Sequence, residues 1–150
     1  MYGSVLVVLS TLELFGNTAN PEGAKGGIAP RPNIPEAADV SGYYVCKGQE
    51  AGGKKYNGIV VLNKKNDVYL ISWVVGGGST FNGIAIRQGD SLAASWTMTT
   101  ERGLVRGINL YRIEAGKDGP RLIGRWASVP GPGLQLEETL TFLKKLEVEE

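Results

Sequence analysis

The heptapeptide YNGIVVL at residues 56–62 recurs as FNGIAIR at residues 81–87. The first copy is followed by Asp67 and then Ser72-Trp73, and the second copy is followed by Asp90 and then Ser95-Trp96. Two runs rich in β-branched and aromatic residues, separated by Gly, Asn and Asp, are typical of a β-hairpin. The sequence therefore repeats one hairpin at least twice, with Trp at the same position in each copy.

A weaker third copy begins at Val105-Arg106-Gly107 and ends at Trp126. Side chains alternate between the two faces of a strand, which places each Trp on the same face as apolar neighbours two and four residues away. Those neighbours are Tyr69 and Ile71 beside Trp73, Leu92, Ala94 and Met98 around Trp96, and Leu122 and Gly124 beside Trp126. We predict that the face carrying the Trp residues is the inner one.

The rest of the chain continues this pattern. It predicts eight strands, at residues 40–46, 56–63, 67–75, 80–87, 90–99, 104–114, 121–128 and 134–143. Every connection is short enough for a hairpin, and no segment with helical periodicity remains to cover an open sheet. We predict an all-β fold, an eight-stranded antiparallel up-and-down meander closed into a streptavidin-like or lipocalin-like barrel. A two-sheet β-sandwich is the alternative.

Composition excludes several classes of function. With 16 basic and 15 acidic residues the net charge is +1, so no nucleic-acid partner is expected. The chain has no His and only one Cys, Cys46, which removes the usual general base, the commonest metal ligand and any internal disulfide. We therefore predict no metal site, no cofactor and no enzymatic activity, and we expect Cys46 to be a small buried apolar residue.

The chain divides into four parts. Residues 1–16 contain an apolar stretch at 4–12 that favours a truncated signal peptide, with an N-terminal strand or short helix as the alternative. This stretch is too short to span a membrane. Residues 17–38 form a Pro- and Gly-rich linker, residues 39–143 the barrel, and residues 144–150 a charged tail. A leader predicts an extracellular, periplasmic or cell-envelope location; without it the protein would be cytoplasmic.

The candidate catalytic groups have structural explanations. Asp67, Asp90 and Asp118 all fall at hairpin turns, where Asp caps the backbone. Ser72 and Ser95 recur at equivalent outward positions without a His to activate them. None of these residues is predicted to be catalytic.

The candidate binding residues are the inner aromatic residues Tyr69, Trp73, Trp96 and Trp126. They either pack the core or line a pocket for a small apolar or aromatic ligand. Mid-strand glycines at 58, 83 and 107 are each predicted to lie under an indole ring.

Two charged residues complete the candidate site. Alternation from Leu136 places Glu138 inside the barrel, and we assign Arg112 to the inner face with Ile108 and Leu110. Because a buried charge needs a partner, Glu138 and Arg112 are expected to pair near one mouth of the barrel. The pair would serve either as a structural latch or as an anchor for a ligand.

The succession of packing motifs resembles a family of small secreted bacterial domains that are often labelled fibronectin-binding and are largely uncharacterised. The motifs are Gly42-x-Tyr44, Tyr56-x-Gly58, Tyr69…Trp73, Phe81-x-Gly83-Ile84, Leu92…Trp96, Gly107-Ile108, Leu122-x-Gly124-x-Trp126 and Glu138-Thr139-Leu140. This resemblance implies an exported β-barrel domain. Our leading hypothesis is a non-enzymatic secreted or envelope domain that binds a host or matrix protein such as fibronectin. The alternative is a carrier with a small molecule inside the barrel.

Overall fold

The computed structural model describes residues 35 and 38–147. The predicted leader, nearly all of the predicted linker and the last three residues lie outside the described residues. The described part is all-β. Its strands are β1 (Gly42–Gln49), β2 (Lys55–Lys65), β3 (Val68–Val75), β4 (Ser79–Gln88), β5 (Ser91–Thr100), β6 (Gly103–Ala115), β7 (Pro120–Val129) and β8 (Leu136–Lys144).

The eight strands form one closed barrel. Each strand pairs antiparallel with the next in the chain, and β1 pairs with β8 to close the sheet. This confirms the predicted up-and-down barrel. Closure gives each of these eight strands two hydrogen-bonded neighbours, so the described sheet has no edge left to pair with another chain.

The inner face of the barrel agrees with the prediction for most strands. Tyr69, Ile71 and Trp73 are buried on β3, as are Leu92, Ala94 and Trp96 on β5. On β8 the side chain of Glu138 is only 3% exposed. The Trp-bearing face is therefore the inner one, and the register predicted for β8 is confirmed.

The predicted register for β6 is wrong by one residue. Ile108 and Leu110 are 64% and 61% exposed on the outer surface, whereas Asn109 and Tyr111 are buried inside. Arg112 consequently points outward, where its guanidinium lies 3.4 Å from the carboxylate of Glu114. The cause is that β6 has apolar side chains on both faces, so hydrophobicity alone did not distinguish inside from outside.

The prediction for the mid-strand glycines holds at one position of three. A Cβ at Gly107 would lie 2.0 Å from Cζ2 of Trp96, so this glycine does lie under an indole. At Gly58 and Gly83 the nearest atoms are instead backbone oxygens of the neighbouring strand, at 2.2 Å and 2.1 Å. The prediction is wrong there, because those two glycines make room for a backbone and not for a ring.

One end of the barrel is closed by the chain that leads into β1. Val40 is fully buried there, and the hydroxyl of Tyr44 donates to its carbonyl oxygen over 2.5 Å. Arg87 donates to the carbonyl of Ala38 and, over 3.1 Å, to that of Pro35. These contacts seal the end at which β1 begins, so access to the interior is from the opposite end.

Candidate functional site: a cavity at the open end of the barrel

The open half of the barrel contains a cavity of about 290 Å³. It reaches the end of the barrel at which the β1–β2, β3–β4, β5–β6 and β7–β8 turns lie. Its lining residues come from seven of the eight strands and two turns: Glu50, Tyr56, Trp73, Val75, Gly76, Ser79, Phe81, Trp96, Met98, Val105, Asn109, Trp126, Ser128 and Glu138. The interior is therefore packed at the closed end and hollow at the open end.

Five of the lining residues are aromatic: Tyr56, Trp73, Phe81, Trp96 and Trp126. Phe81 and Trp96 meet edge to face with ring centroids 4.9 Å apart, and Trp96 and Trp126 are tilted by 55° at 6.4 Å. Tyr56 lies edge-on to Trp126 at 6.5 Å. These rings are held by contacts with each other, so the wall is formed before any ligand enters.

A buried carboxylate, that of Glu138, lies in the cavity lining. Its Oε1 accepts hydrogen bonds from Trp73 Nε1 at 3.1 Å, from Asn109 Nδ2 at 3.1 Å and from the hydroxyl of Tyr111. Its Oε2 accepts one hydrogen bond, from the hydroxyl of Tyr56 at 2.6 Å. Donors from β2, β3 and β6 thus meet one acceptor from β8, which ties opposite walls of the barrel together.

Asn109 extends this network toward the cavity wall. Its Oδ1 accepts the indole N–H of Trp96 at 2.8 Å, while its Nδ2 is 2.7 Å from the hydroxyl oxygen of Tyr111. Because its amide accepts from Trp96 and donates toward Glu138, Asn109 fixes the position of the indole relative to the carboxylate.

The groups beside Glu138 stay protonated over a wide pH range. Burial raises the pKa of the Tyr56 and Tyr111 hydroxyls, and the charge of Glu138 raises both further. Burial, followed by the same carboxylate, raises the pKa of the Cys46 thiol. The two phenols are therefore neutral hydrogen-bond donors to the carboxylate, and Cys46 is the inert, buried residue that the sequence predicts.

One hydrogen-bond donor in the cavity wall is not part of the network around Glu138 and Asn109. The Nε1 atom of Trp126 is buried and makes no hydrogen bond of normal geometry among the described residues, although its N–H interacts with the Tyr56 hydroxyl and lowers the pKa of that hydroxyl. The other two indoles are both paired, Trp73 with Glu138 and Trp96 with Asn109. A buried donor without a well-formed hydrogen bond costs free energy, so this N–H is available to an acceptor that enters the cavity.

Of the six predicted binding residues, four line the cavity: Trp73, Trp96, Trp126 and Glu138. Tyr69 does not line it. That residue lies in the closed half, with its hydroxyl 3.4 Å from Asp39 Oδ1. Arg112 is on the outer surface, so the predicted pairing of Arg112 with Glu138 is wrong.

Among the cavity residues that the sequence prediction did not include are Tyr56, Phe81 and Asn109. A signal for all three was present. Tyr56 and Phe81 stand at the first position of the repeated heptapeptide, two residues before glycines on the inner face. Asn109 is two residues after Gly107, and applying the alternation from that glycine would have placed Asn109 and Tyr111 inside.

The outer surface carries an apolar patch, defined here as Ile84, Ile86, Ala93, Ile108 and Leu110. Pairing between strands places Ile86 opposite Ala93, and Ala93 opposite Leu110, on three neighbouring strands. Ile84 and Ile108 flank Ser95 in the adjacent row. Contiguous exposed apolar side chains of this kind are typical of a surface that contacts another molecule.

The described residues contain no group of three or more His, Cys, Asp or Glu side chains arranged to hold a metal ion. In the same part of the chain, no helix has the length and apolar character required to cross a membrane.

Fold and cavity together define the protein as a small eight-stranded barrel with a ligand-sized cavity at one end. No protein-family model and no curated protein sequence matches the chain.

Proposed function

We propose that this protein is a non-enzymatic binding protein that holds a small molecule in the open end of its barrel. The observation that carries the proposal is the cavity of about 290 Å³, walled by aromatic rings and containing the buried carboxylate of Glu138. Small-molecule sites are mostly apolar concavities with a few convergent polar groups, and this cavity has that composition.

The size of the cavity limits the ligand. Its volume equals that of about ten water molecules at roughly 30 Å³ each, and it lies at the lower end of the usual range for ligand sites. A protein that bound only other proteins would have no need for a hollow interior. The hollow half therefore favours a small-molecule carrier over a protein binder with a filled core.

The proposal is tested by blocking the cavity. Val105 lines it and Thr97 is an exposed outward residue on the neighbouring strand. Val105→Phe should abolish the binding of small aromatic probes, measured by isothermal titration calorimetry and by the shift in melting temperature. Thr97→Phe is the matched control and should bind as the unaltered protein does. Equal binding by both variants would place the ligand elsewhere and contradict the proposal.

A second candidate function is the binding of a protein partner on the outer apolar patch. Arg112 and Arg125 border the patch, so the expected partner presents apolar side chains flanked by carboxylates. Fibronectin and other matrix proteins are the candidate partners that the sequence resemblance suggests. Export of the chain is a proposal that rests on the same resemblance. Ile108→Glu should weaken capture of a fibronectin fragment in a surface-binding assay, whereas Thr97→Glu, outside the patch, should not.

A further inference from the structure

We infer that the ligand of the cavity is a small organic cation, a protonated amine with an apolar body. The inference rests on the proposed function, since it names the chemical class that the cavity would take. Three independent features of the lining lead to it: its charge, the free capacity of one carboxylate oxygen, and the aromatic wall.

The charge of the lining is entirely negative. Glu50 lies at the mouth and Glu138 in the interior, and no Lys or Arg of the described chain lines the cavity. Glu138 is 3% exposed, and all of its hydrogen-bond donors are neutral groups. A buried carboxylate is normally paired with a positive charge. Within the residues that the structure describes, no such charge is present, and an ammonium group on the ligand would supply it.

The geometry of Glu138 indicates where that group binds. Oε1 accepts three hydrogen bonds and Oε2 accepts one. An ionised carboxylate has about two acceptor positions on each oxygen, so Oε1 is fully used and Oε2 keeps about one. The Cys46 thiol beside the carboxylate is only a weak donor. An ammonium N–H is the donor type that forms the strongest hydrogen bonds with such an oxygen.

The aromatic wall favours the same charge. The faces of indole and phenyl rings carry negative potential and attract a cation placed over them. Trp96 lies in the lining beside Glu138, with its ring centroid 4.9 Å from that of Phe81 and 6.4 Å from that of Trp126. A carboxylate ligand would meet both these ring faces and two glutamates, so the cavity selects against anions.

The indole N–H of Trp126 adds a further requirement. It can donate to an oxygen or nitrogen acceptor on the ligand. A small amine that also carries a hydroxyl, carbonyl or ring-nitrogen acceptor therefore fits the cavity more completely than an amine alone.

The experiment compares probes of nearly equal size and different charge on the full chain: benzylamine, benzyl alcohol and benzoate. We expect benzylamine to bind at least about tenfold more tightly than benzyl alcohol, the scale of a close charge pair. Benzoate should bind most weakly. Affinities are measured by calorimetry, with quenching of tryptophan fluorescence as a second readout.

Three variants locate the charge effect. Glu138→Gln should remove the preference for benzylamine over benzyl alcohol, so that the two probes bind with similar affinity. Glu137→Gln removes a neighbouring but exposed outward charge and is the matched control. Glu50→Gln, at the mouth, should weaken benzylamine binding by about twofold to threefold, and it tests the inference if Glu138→Gln does not fold.

The outcomes separate the two proposals. Benzyl alcohol or benzoate binding as tightly as benzylamine would overturn the inferred amine and leave the proposed function standing. If none of the three probes binds to folded protein, both the inference and the proposed function are overturned. Tight benzylamine binding that Glu138→Gln and Glu50→Gln leave unchanged would overturn the inference, because the charge preference would then come from another site.

Discussion

Trp73 donates its indole N–H to Oε1 of Glu138 over 3.1 Å, although the two residues are 65 positions apart in the chain. Their strands, β3 and β8, are not neighbours in the barrel. The bond therefore crosses the interior, and it joins walls that no backbone hydrogen bond connects. Glu138 is both the central acceptor of the core and a group in the cavity lining, so it should influence stability as well as binding.

Glu138→Gln should lower the free energy of unfolding by about 1.5–3 kcal/mol, the scale of a hydrogen bond to a charged group. The amide replaces one acceptor oxygen by a donor, which then faces the donors that the carboxylate satisfied. Urea denaturation followed by tryptophan fluorescence measures the change. Glu137→Gln, exposed on the same strand, should stay within about 0.5 kcal/mol of the unaltered protein. Equal effects of both substitutions would show that Glu138 does not organise the core.

The three indoles should respond differently to replacement by Phe. Trp73→Phe and Trp96→Phe each remove a buried hydrogen bond, and each should cost about 1–3 kcal/mol because an acceptor loses its donor. Trp126→Phe removes a donor that makes no hydrogen bond of normal geometry in the described part of the chain, so its cost should be smaller than either. Denaturant midpoints of the three variants test this order. A cost for Trp126→Phe as large as that for Trp73→Phe would mean that its N–H is paired in solution.

The contact between Gly107 and Trp96 should show up in a double-mutant cycle. Gly107→Ala places a methyl group against the indole ring, where a Cβ would lie 2.0 Å from Cζ2, and such overpacking costs about 1–3 kcal/mol. With Trp96→Leu already in place, the same substitution should cost much less. Unfolding free energies of the two single variants and the double variant give the coupling. Strictly additive effects would contradict the packing of the ring on this glycine.

Stability should decline at alkaline pH. Burial, and then the charge of Glu138, raises the pKa of Tyr56, Tyr111 and Cys46 in the folded protein. The unfolded side chains ionise near pH 8.5 for Cys and pH 10 for Tyr. A raised folded-state pKa contributes stability that is complete below the unfolded pKa and is lost as the pH rises above it. Urea midpoints should therefore fall above about pH 8.5, and Cys46→Ala should delay the onset toward about pH 10. A flat profile would contradict the burial of these groups.

The segment before β1 should be necessary for full stability. A chain that begins at residue 35 keeps Val40 and the carbonyl groups that bind Arg87, and it should melt within a few degrees of the full chain. A chain that begins at Ser41 lacks Val40, whose burial alone stabilises by about 1.5–3 kcal/mol. Its melting temperature should be clearly lower. If the two truncated chains melt at the same temperature, the closed end does not depend on this segment.

The barrel could be predicted from the sequence because its determinants are local. Each hairpin contains its own signals: the heptapeptide, the turn residues after it and the Trp, which is Trp73 in the first copy. Strand alternation then orients neighbouring side chains by backbone geometry alone. This sufficed for the strand order, for the inner position of the three indoles and for the inward side chain of Glu138.

The partner of Glu138 could not be predicted in the same way. The inference that a buried charge needs a charged partner led to Arg112, on a strand whose two faces are both apolar. In the barrel, four neutral donors from three other strands solvate the carboxylate instead. Which donors converge on one acceptor depends on how the closed sheet brings distant strands together.

Sequence by itself determined the number and order of the strands and the identity of most inner residues, because both follow from side-chain periodicity and turn chemistry. Tertiary structure alone decided that one half of the interior is packed and the other hollow. The segment before β1 closes one end through Val40 and the carbonyl groups that bind Arg87 of β4. At the other end, the ring pairs Tyr56–Trp126 and Phe81–Trp96 pack around a cavity. That difference arises from the packing of side chains far apart in the chain, which no local pattern encodes.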